Sequence, residues 1–237
     1  MLAREPIAAP APSTEPATVD DLISGLQLGD HDKATRRAYE ILRTETRESQ
    51  RAVVNRLMRY LRVTSSVGGD EVHRATSILA INRLDSSLLS NDMIEELANS
   101  DDFTKRSTAA VLLWDRAEVA PMDVPLGLLG RLALPSGEDW YVQAPAMAAT
   151  KQLLLRRRAA RIILDTLATN EDSDTRYTVA SALLDVASID VTAVPRDLAE
   201  KLARDSDGLV AGKAREVIAV IGDRPDGERD PRSPFGI

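Results

Sequence analysis

The chain contains no cysteine. Disulfide bridging, thiolate nucleophiles and Cys-ligated metals are thereby excluded. Histidine is nearly as scarce: His31 and His73 are the only two, too few and too scattered for a zinc site or a histidine-based triad. Aromatic residues make up 3% of the chain, and 12 Gly with 12 Pro in 237 residues are too few for a loop-rich β protein. No segment holds ~18 uncharged apolar residues in a row, and the first eighteen residues carry no continuous apolar stretch of signal-peptide type. No Gly-rich phosphate loop or nucleophile elbow is found. These absences lead to the expectation of a cytoplasmic chain with no membrane contact, no cofactor and no catalytic residue.

What is present is small, aliphatic and charged. The apolar share is 43% and the net charge is −7. Only five of the 30 basic residues are lysine, an arginine bias that hints at a GC-rich, bacterial genome. A core filled by Ala, Leu, Ile and Val suits helix packed on helix in thin layers, where alanine allows close approach.

Four times an aspartate is followed four residues later by an arginine at the start of an apolar-striped segment: Asp32 with Arg36, Asp70 with Arg74, Asp102 with Arg106, Asp172 with Arg176. Aspartate is a preferred helix N-cap, and a residue four places on lies one turn further along the same face. Each pair therefore marks the start of an equivalent helix. Sliding the chain by 70 residues superposes Leu97, Asp102, Arg106, Asp115, Pro125 and Leu128 on Leu167, Asp172, Arg176, Asp185, Pro195 and Leu198 without a gap. A unit of 70 is too long for one helical hairpin, and the Asp/Arg pairs recur at about half that distance, so the match spans two repeats of a solenoid.

A further small polar residue stands two places before the aspartate at Asp30, Ser100 and Asn170, with Gly68 in the second repeat. With the Asp-x-x-x-Arg pairs, this pattern resembles the HEAT-repeat (armadillo-like α-solenoid) family over roughly residues 19–222. The resemblance implies an all-α fold, a right-handed α-solenoid of about six helical hairpins. It also implies that the Asp and Arg of successive second helices form a ladder. On that reading Asp32, Arg36, Asp70, Arg74, Asp102, Arg106, Asp172 and Arg176 are structural, since a planar guanidinium can bridge the carboxylate of its own repeat and that of the next.

Three parts follow from composition. Residues 1–18 are Pro/Ala-rich without periodicity and are expected to be a disordered leader, residues 19–222 the repeat domain, and residues 223–237 a disordered charged tail. The first hairpin turn is expected at Gly29–Asp32 and that of the second repeat at Ser65–Gly69.

The fourth repeat departs from the pattern. Gln143 stands where the arginine is expected and Pro145 follows. Proline inside a helix removes a hydrogen bond, so the helix is expected to start at Pro145, leaving Ser136–Ala144 as a loop that carries Trp140 and Tyr141. Aromatics on a loop held by a rigid scaffold mark a partner surface; the alternative is that Trp140 caps the groove between hairpins. Arg156, Arg157, Arg158 and Arg161, with Lys151, form the basic cluster, open either to an anionic contact or to a solvated role at a helix C-terminus. Trp114 aligns with Leu184 and is expected in the core.

Two functional classes remain. The first is a non-enzymatic protein–protein interaction scaffold using the groove of the solenoid, with Trp140, Tyr141, Arg156, Arg157 and Tyr177 at its edge and another protein as partner. The second follows from a likeness to bacterial DNA glycosylases acting on alkylated purines, which are built of HEAT-like repeats and hold DNA in a basic concave groove. The acidic balance and the commitment of arginines to the ladder favour the first.

Overall fold

The computed structural model describes residues 31–63, 70–134 and 140–222. Among them lie eleven α-helices: α1 His31–Thr44, α2 Arg47–Val63, α3 Asp70–Ile81, α4 Asn91–Ala98, α5 Phe103–Val119, α6 Leu126–Ala133, α7 Trp140–Arg156, α8 Arg161–Leu167, α9 Ser173–Ile189, α10 Arg196–Leu202 and α11 Gly208–Ile221. There is no strand among the described residues. Helices pair as hairpins α2/α3, α4/α5, α6/α7, α8/α9 and α10/α11, with α1 standing as the second helix of the first repeat. The result is an all-α solenoid of two layers, α2, α4, α6, α8 and α10 in one and α3, α5, α7, α9 and α11 in the other. The expected leader, the tail and the turn of the second repeat lie outside the described residues, as do Gly29 and Asp30 of the first expected turn; His31 and Asp32, placed in that turn from sequence, already belong to α1.

The 70-residue periodicity is literal in the backbone. α5 and α9 both run 17 residues; each is followed by a 3-10 turn, Pro121–Asp123 or Val191–Ala193, and then by a short helix capped by Pro125 or Pro195. Proline suits that cap because its missing N–H would find no partner inside the helix. Alanines at complete burial, including Ala109, Ala110, Ala146, Ala149 and Ala180, let the second-layer helices approach, and Leu113, Leu129, Leu153 and Leu164 fill the space between layers.

The helix starts show why a polar residue precedes each aspartate by two. Asp102 caps α5 through Thr104 N–H at 2.9 Å, while its own N–H donates to Ser100 Oγ at 3.2 Å. Asp172 caps α9 through Asp174 and Thr175, and its N–H donates to Asn170 Oδ1 at 2.9 Å. Asp207 caps α11 through Leu209 and Val210 while donating to Asp205 Oδ1 at 2.9 Å. The first polar residue orients the cap, and the cap satisfies the orphan N–H groups of the first turn. This third instance lacks the arginine, since Ala211 stands four residues after Asp207. Asp32 and Asp70 fall within the first turns of α1 and α3 rather than before them, and their side chains lie outside the described set.

Two sequence expectations are corrected here. Pro145 does not begin a helix: it sits inside α7, which starts at Trp140. The lost N–H would have gone to the carbonyl of Tyr141, and that oxygen accepts instead from Ser107 Oγ of α5 at 2.9 Å. A tertiary hydroxyl thus replaces the missing intrahelical donor. Trp114 is not core; it is 45% exposed, on the margin of the α5 stripe whose buried members are Leu112, Leu113 and Ala117.

Candidate functional site

The arginines come first, because they determine what the surface has left to offer. Arg176 forms a fork with Asp205, Nε to Oδ2 at 2.7 Å and Nη2 to Oδ1 at 2.9 Å, and its Nη1 donates to the carbonyls of Asn170 and Glu171. The bridge therefore runs to the next repeat alone. The carboxylate of Asp172 is engaged by its helix N-terminus and by Thr175 Oγ1, contrary to the expected same-repeat pair. The Thr175 hydroxyl and backbone hold Asp172 below the ordinary carboxylate range, and the Arg176 guanidinium, as donor to Asp205, does the same there. Arg106 likewise donates to the Ser100 carbonyl at 2.9 Å and not to Asp102, whose Oδ2 is buried without a hydrogen-bond partner. Arg74 buries Nη1 without a partner among the described residues, and Arg36 is exposed.

Alongside the Arg176–Asp205 bridge, contacts between repeats are carried by ion pairs that an Asp-x-x-x-Arg search passes over. Arg47 reaches Asp85, 38 residues on; Arg62 reaches Glu96, 34 on; Arg131 reaches Glu95 across 36 residues; Arg161 reaches Asp197, 36 on. All four link neighbouring members of the α2, α4, α6, α8, α10 layer or the turns before them. Arg161 also holds Asp165, and as donor to Asp197 it depresses that carboxyl below its usual range.

Of the basic cluster, Arg161 and Lys151 are paired with carboxylates, while Arg156 and Arg157 are committed to backbone. Arg156 donates to the Glu118 carbonyl at the end of α5, and Arg157 donates to the Val124 carbonyl at 3.1 Å. Lys105, 8% exposed, donates to the Leu61 carbonyl near the end of α2. Cations at these positions satisfy terminal carbonyls and offset helix dipoles. Arg156 and Arg157 also stand far from Trp140: α7 places Trp140 and Arg156 at opposite ends, ~24 Å apart at 1.5 Å per residue. The five residues expected on one edge thus separate into two places.

Among the described residues, the face formed by the second helices carries a groove on either side of the α5/α7 pair. One lies between α7 and α9, which pack less closely than α5 with α7 or α9 with α11. Its volume is about 430 Å³. Trp140, Ala144 and Met147 of α7 form one wall, Thr178 and Ala182 of α9 the other, and Asp172, Asp174 and Asp185 line it. Lys151 is its one cation, held by Asp185 at 2.7 Å. The other groove lies between α3 and α5, with a volume of about 450 Å³. Ser77, Ala80, Phe103, Ser107 and Val111 line it, Tyr141 reaches in from α7, and among the described residues no charged side chain takes part.

Trp140 is 67% and Tyr141 69% exposed at the first two positions of α7. One contributes to each groove, so the pair sits between them. Tyr177, 37% exposed, lies on α9 at the position equivalent to Ser107 and is absent from the lining of either groove. Phe103 and Asp174 escaped the sequence reading, which took Asp172 as a ladder residue and Asp185 as a repeat position only. Phe103 follows the cap Asp102, where an apolar first residue was a detectable signal. No group of three His, Asp or Glu side chains is placed to hold a metal ion among the described residues, and no described helix is long and apolar enough to cross a membrane.

No protein-family model matches the chain, and no curated protein matches it. Solved structures do. A designed armadillo-repeat protein in complex with the peptide (KR)4 is similar at 13% identity and a TM-score of 0.50, covering 86% of this chain and 100% of that one. An engineered protein is similar at 22% identity and a TM-score of 0.45 over 86% of this chain, which spans 57% of that protein's length. A second engineered protein matches at 21% identity and a TM-score of 0.46, over 85% of this chain and 98% of that one. At 13% identity the likeness to the designed armadillo-repeat protein is one of fold, an armadillo-like solenoid.

Proposed function

We propose that the protein is a non-enzymatic interaction scaffold that binds a segment of another protein across the grooves between its second helices. The observation that carries this is the placement of Trp140 and Tyr141, both more than two-thirds exposed, between two grooves at the same level of parallel helices. Exposed aromatics beside preformed clefts supply most of the energy in protein interfaces, and a solenoid presents such clefts in a row. A designed armadillo-repeat neighbour takes a peptide, which supports the same use of this fold. A nucleic-acid backbone would meet Asp172, Asp174 and Asp185 in the wider groove, while the arginines that could attract phosphate are bonded to carbonyls and carboxylates.

The test is a selection of displayed random peptides on the immobilised full chain, followed by affinity measurement on variants. Trp140→Ala and Tyr141→Ala are each expected to weaken a selected peptide by roughly 1–3 kcal/mol with an unchanged melting temperature. If binding survives both substitutions, the surface lies elsewhere on the array. Tyr177→Ala, outside both grooves, is expected to leave affinity unchanged.

A further inference from the structure

The two grooves differ in chemistry and stand at a fixed separation, and together these define what fits. We infer that the partner segment is an extended chain carrying a large apolar side chain for the α3/α5 groove and a lysine or arginine six residues away for the α7/α9 groove. This rests on the scaffold reading above and narrows it to a class of peptide.

The α3/α5 groove is walled by Phe103, Val111, Ala80 and the Tyr141 ring, with hydroxyls as its polar groups. A charged side chain entering it would lose hydration with no counter-charge among the described lining residues to replace it, whereas an aliphatic or aromatic one buries area at no such penalty. The α7/α9 groove has the opposite bias. Its carboxylates outnumber its cation three to one, and Lys151 is already held by Asp185. Trp140 at its mouth offers a ring face to a cation, and the apolar wall of Ala144 and Met147 suits the methylene stem of Lys or Arg. Asp172 is held below the usual carboxylate range, so its charge persists in mildly acidic solution.

Spacing follows from the helix order. The α3/α5 groove follows the N-terminal half of α5 to Tyr141, and the α7/α9 groove runs from Trp140 and Asp174 at the starts of α7 and α9 down to Lys151 and Asp185, so a segment joining them past Tyr141 and Trp140 runs across the helices. From between α3 and α5 to between α7 and α9 is two interhelical spacings, ~16–20 Å at 8–10 Å each. An extended chain covers that in about five to six residues at ~3.3 Å per residue. Side chains of an extended strand alternate sides, so two that enter the same face are separated by an even number, which selects six. The residue midway passes over the Tyr141 and Trp140 pair.

The experiment uses the displayed-peptide selection on the full chain, with peptides of about 12 residues, long enough to cross both grooves, and a no-bait control. The expected result is enrichment of a large apolar residue and a Lys or Arg six positions apart, in either chain direction. A synthetic peptide with that motif is then measured on Asp174→Lys, on Asp185→Lys and on Val111→Arg. Each is expected to weaken binding about tenfold or more. Selection repeated on Asp174→Lys should keep the apolar preference and lose the basic one, a readout that misfolding would not produce. Enrichment without the six-residue spacing, enrichment of acidic residues, or equal affinity for Asp174→Lys and the wild type would overturn the inference and leave peptide binding standing. If no peptide is enriched over the control, both the inference and the scaffold reading fall.

Discussion

Replacing Arg116 with methionine tests whether buried guanidinium groups, rather than the expected Asp/Arg ladder, join one hairpin to the turn beside it. Arg116 lies on α5 and is 3% exposed; its Nη2 donates to the Leu89 carbonyl at 2.5 Å and its Nη1 to Asn91 Oδ1, while Asn91 Nδ2 donates to the Asp123 carbonyl at 3.1 Å. The network ties the start of α4, the body of α5 and the turn after α5. Burial lowers the pKa of the guanidinium from its usual value, yet arginine stays charged in proteins. Methionine keeps the stem and removes both bonds. Hydrogen bonds from a charged donor contribute ~1.5–3 kcal/mol each, and Leu89 is fully buried, so water does not replace the donor. Against this, the variant no longer desolvates a cation. The equivalent position holds Val186, 1% exposed, so an apolar side chain fits there sterically. The expected balance is a loss of ~2 kcal/mol, dominated by the stranded carbonyl. For a chain of this length that is a fall of about 4–8 °C in melting temperature, read by circular dichroism. Repeat arrays open locally, so hydrogen exchange at the Met93 and Ile94 amides should also accelerate. A melting temperature within about 1 °C of wild type with unchanged exchange there would refute the reasoning.

Ser107→Ala leaves the Tyr141 carbonyl to water alone and should destabilise by roughly 0.5–1 kcal/mol; in Ser107→Ala/Pro145→Ala the restored backbone N–H should recover most of that, as a double-mutant cycle in urea would show. Asp197 and Asp205 have folded pKa values below their unfolded ones, so their stabilisation is present above about pH 4 and lost as pH falls through the lower folded values. Asp205→Asn should flatten that acid limb in a pH series of thermal melts. Asp115 is shifted the other way, upward, first by burial, with Arg83 opposing and Glu118 reinforcing. Its folded state binds the proton more readily, so its penalty is present above the raised value and relieved as pH falls through it. Asp115→Asn should therefore raise stability at neutral pH by under ~1 kcal/mol, this position being half-exposed and screened.

The fold was legible because its signals are local and repeated. The Asp cap, the polar residue two places earlier and the proline ahead of α6 and α10 each act within one turn of chain, and their recurrence at 70 residues carries the array. What escaped depends on neighbours far along the chain. Pro145 read as a helix start because the rule for proline counts intrahelical donors, and the donor that rescues Tyr141 comes from Ser107, 34 residues earlier. Trp114 inherited a core position from Leu184, itself only half-buried; at the margin of a stripe a leucine tucks in where an indole is too wide. The grooves were out of reach because they are spaces between helices, and residue order says nothing of how closely α7 and α9 pack.

The arginine bias and the acidic balance have one physical account. Short helices in a thin array expose many terminal carbonyls, each needing a donor, and arginine reaches furthest with the most donors. Arg116, Arg156, Arg157 and Arg176 all serve carbonyls of a neighbouring segment in this way. Once those cations are committed, the carboxylates near them fall into two groups. Some, such as Asp205 and Asp197, are matched by a guanidinium and are electrostatically silent toward solvent. Others cap helices or stand exposed along the second helices with no guanidinium hydrogen-bonded to them, as Asp172 and Asp174 do beside Trp140. The charge left over along the α7/α9 groove is therefore negative because the positive charge nearby is used in holding the repeats together. A substitution that releases a structural arginine should thus perturb binding twice, through stability and through the field of the groove. Asp174→Lys separates the two, since it alters the field at an exposed helix start and leaves every inter-repeat bond in place.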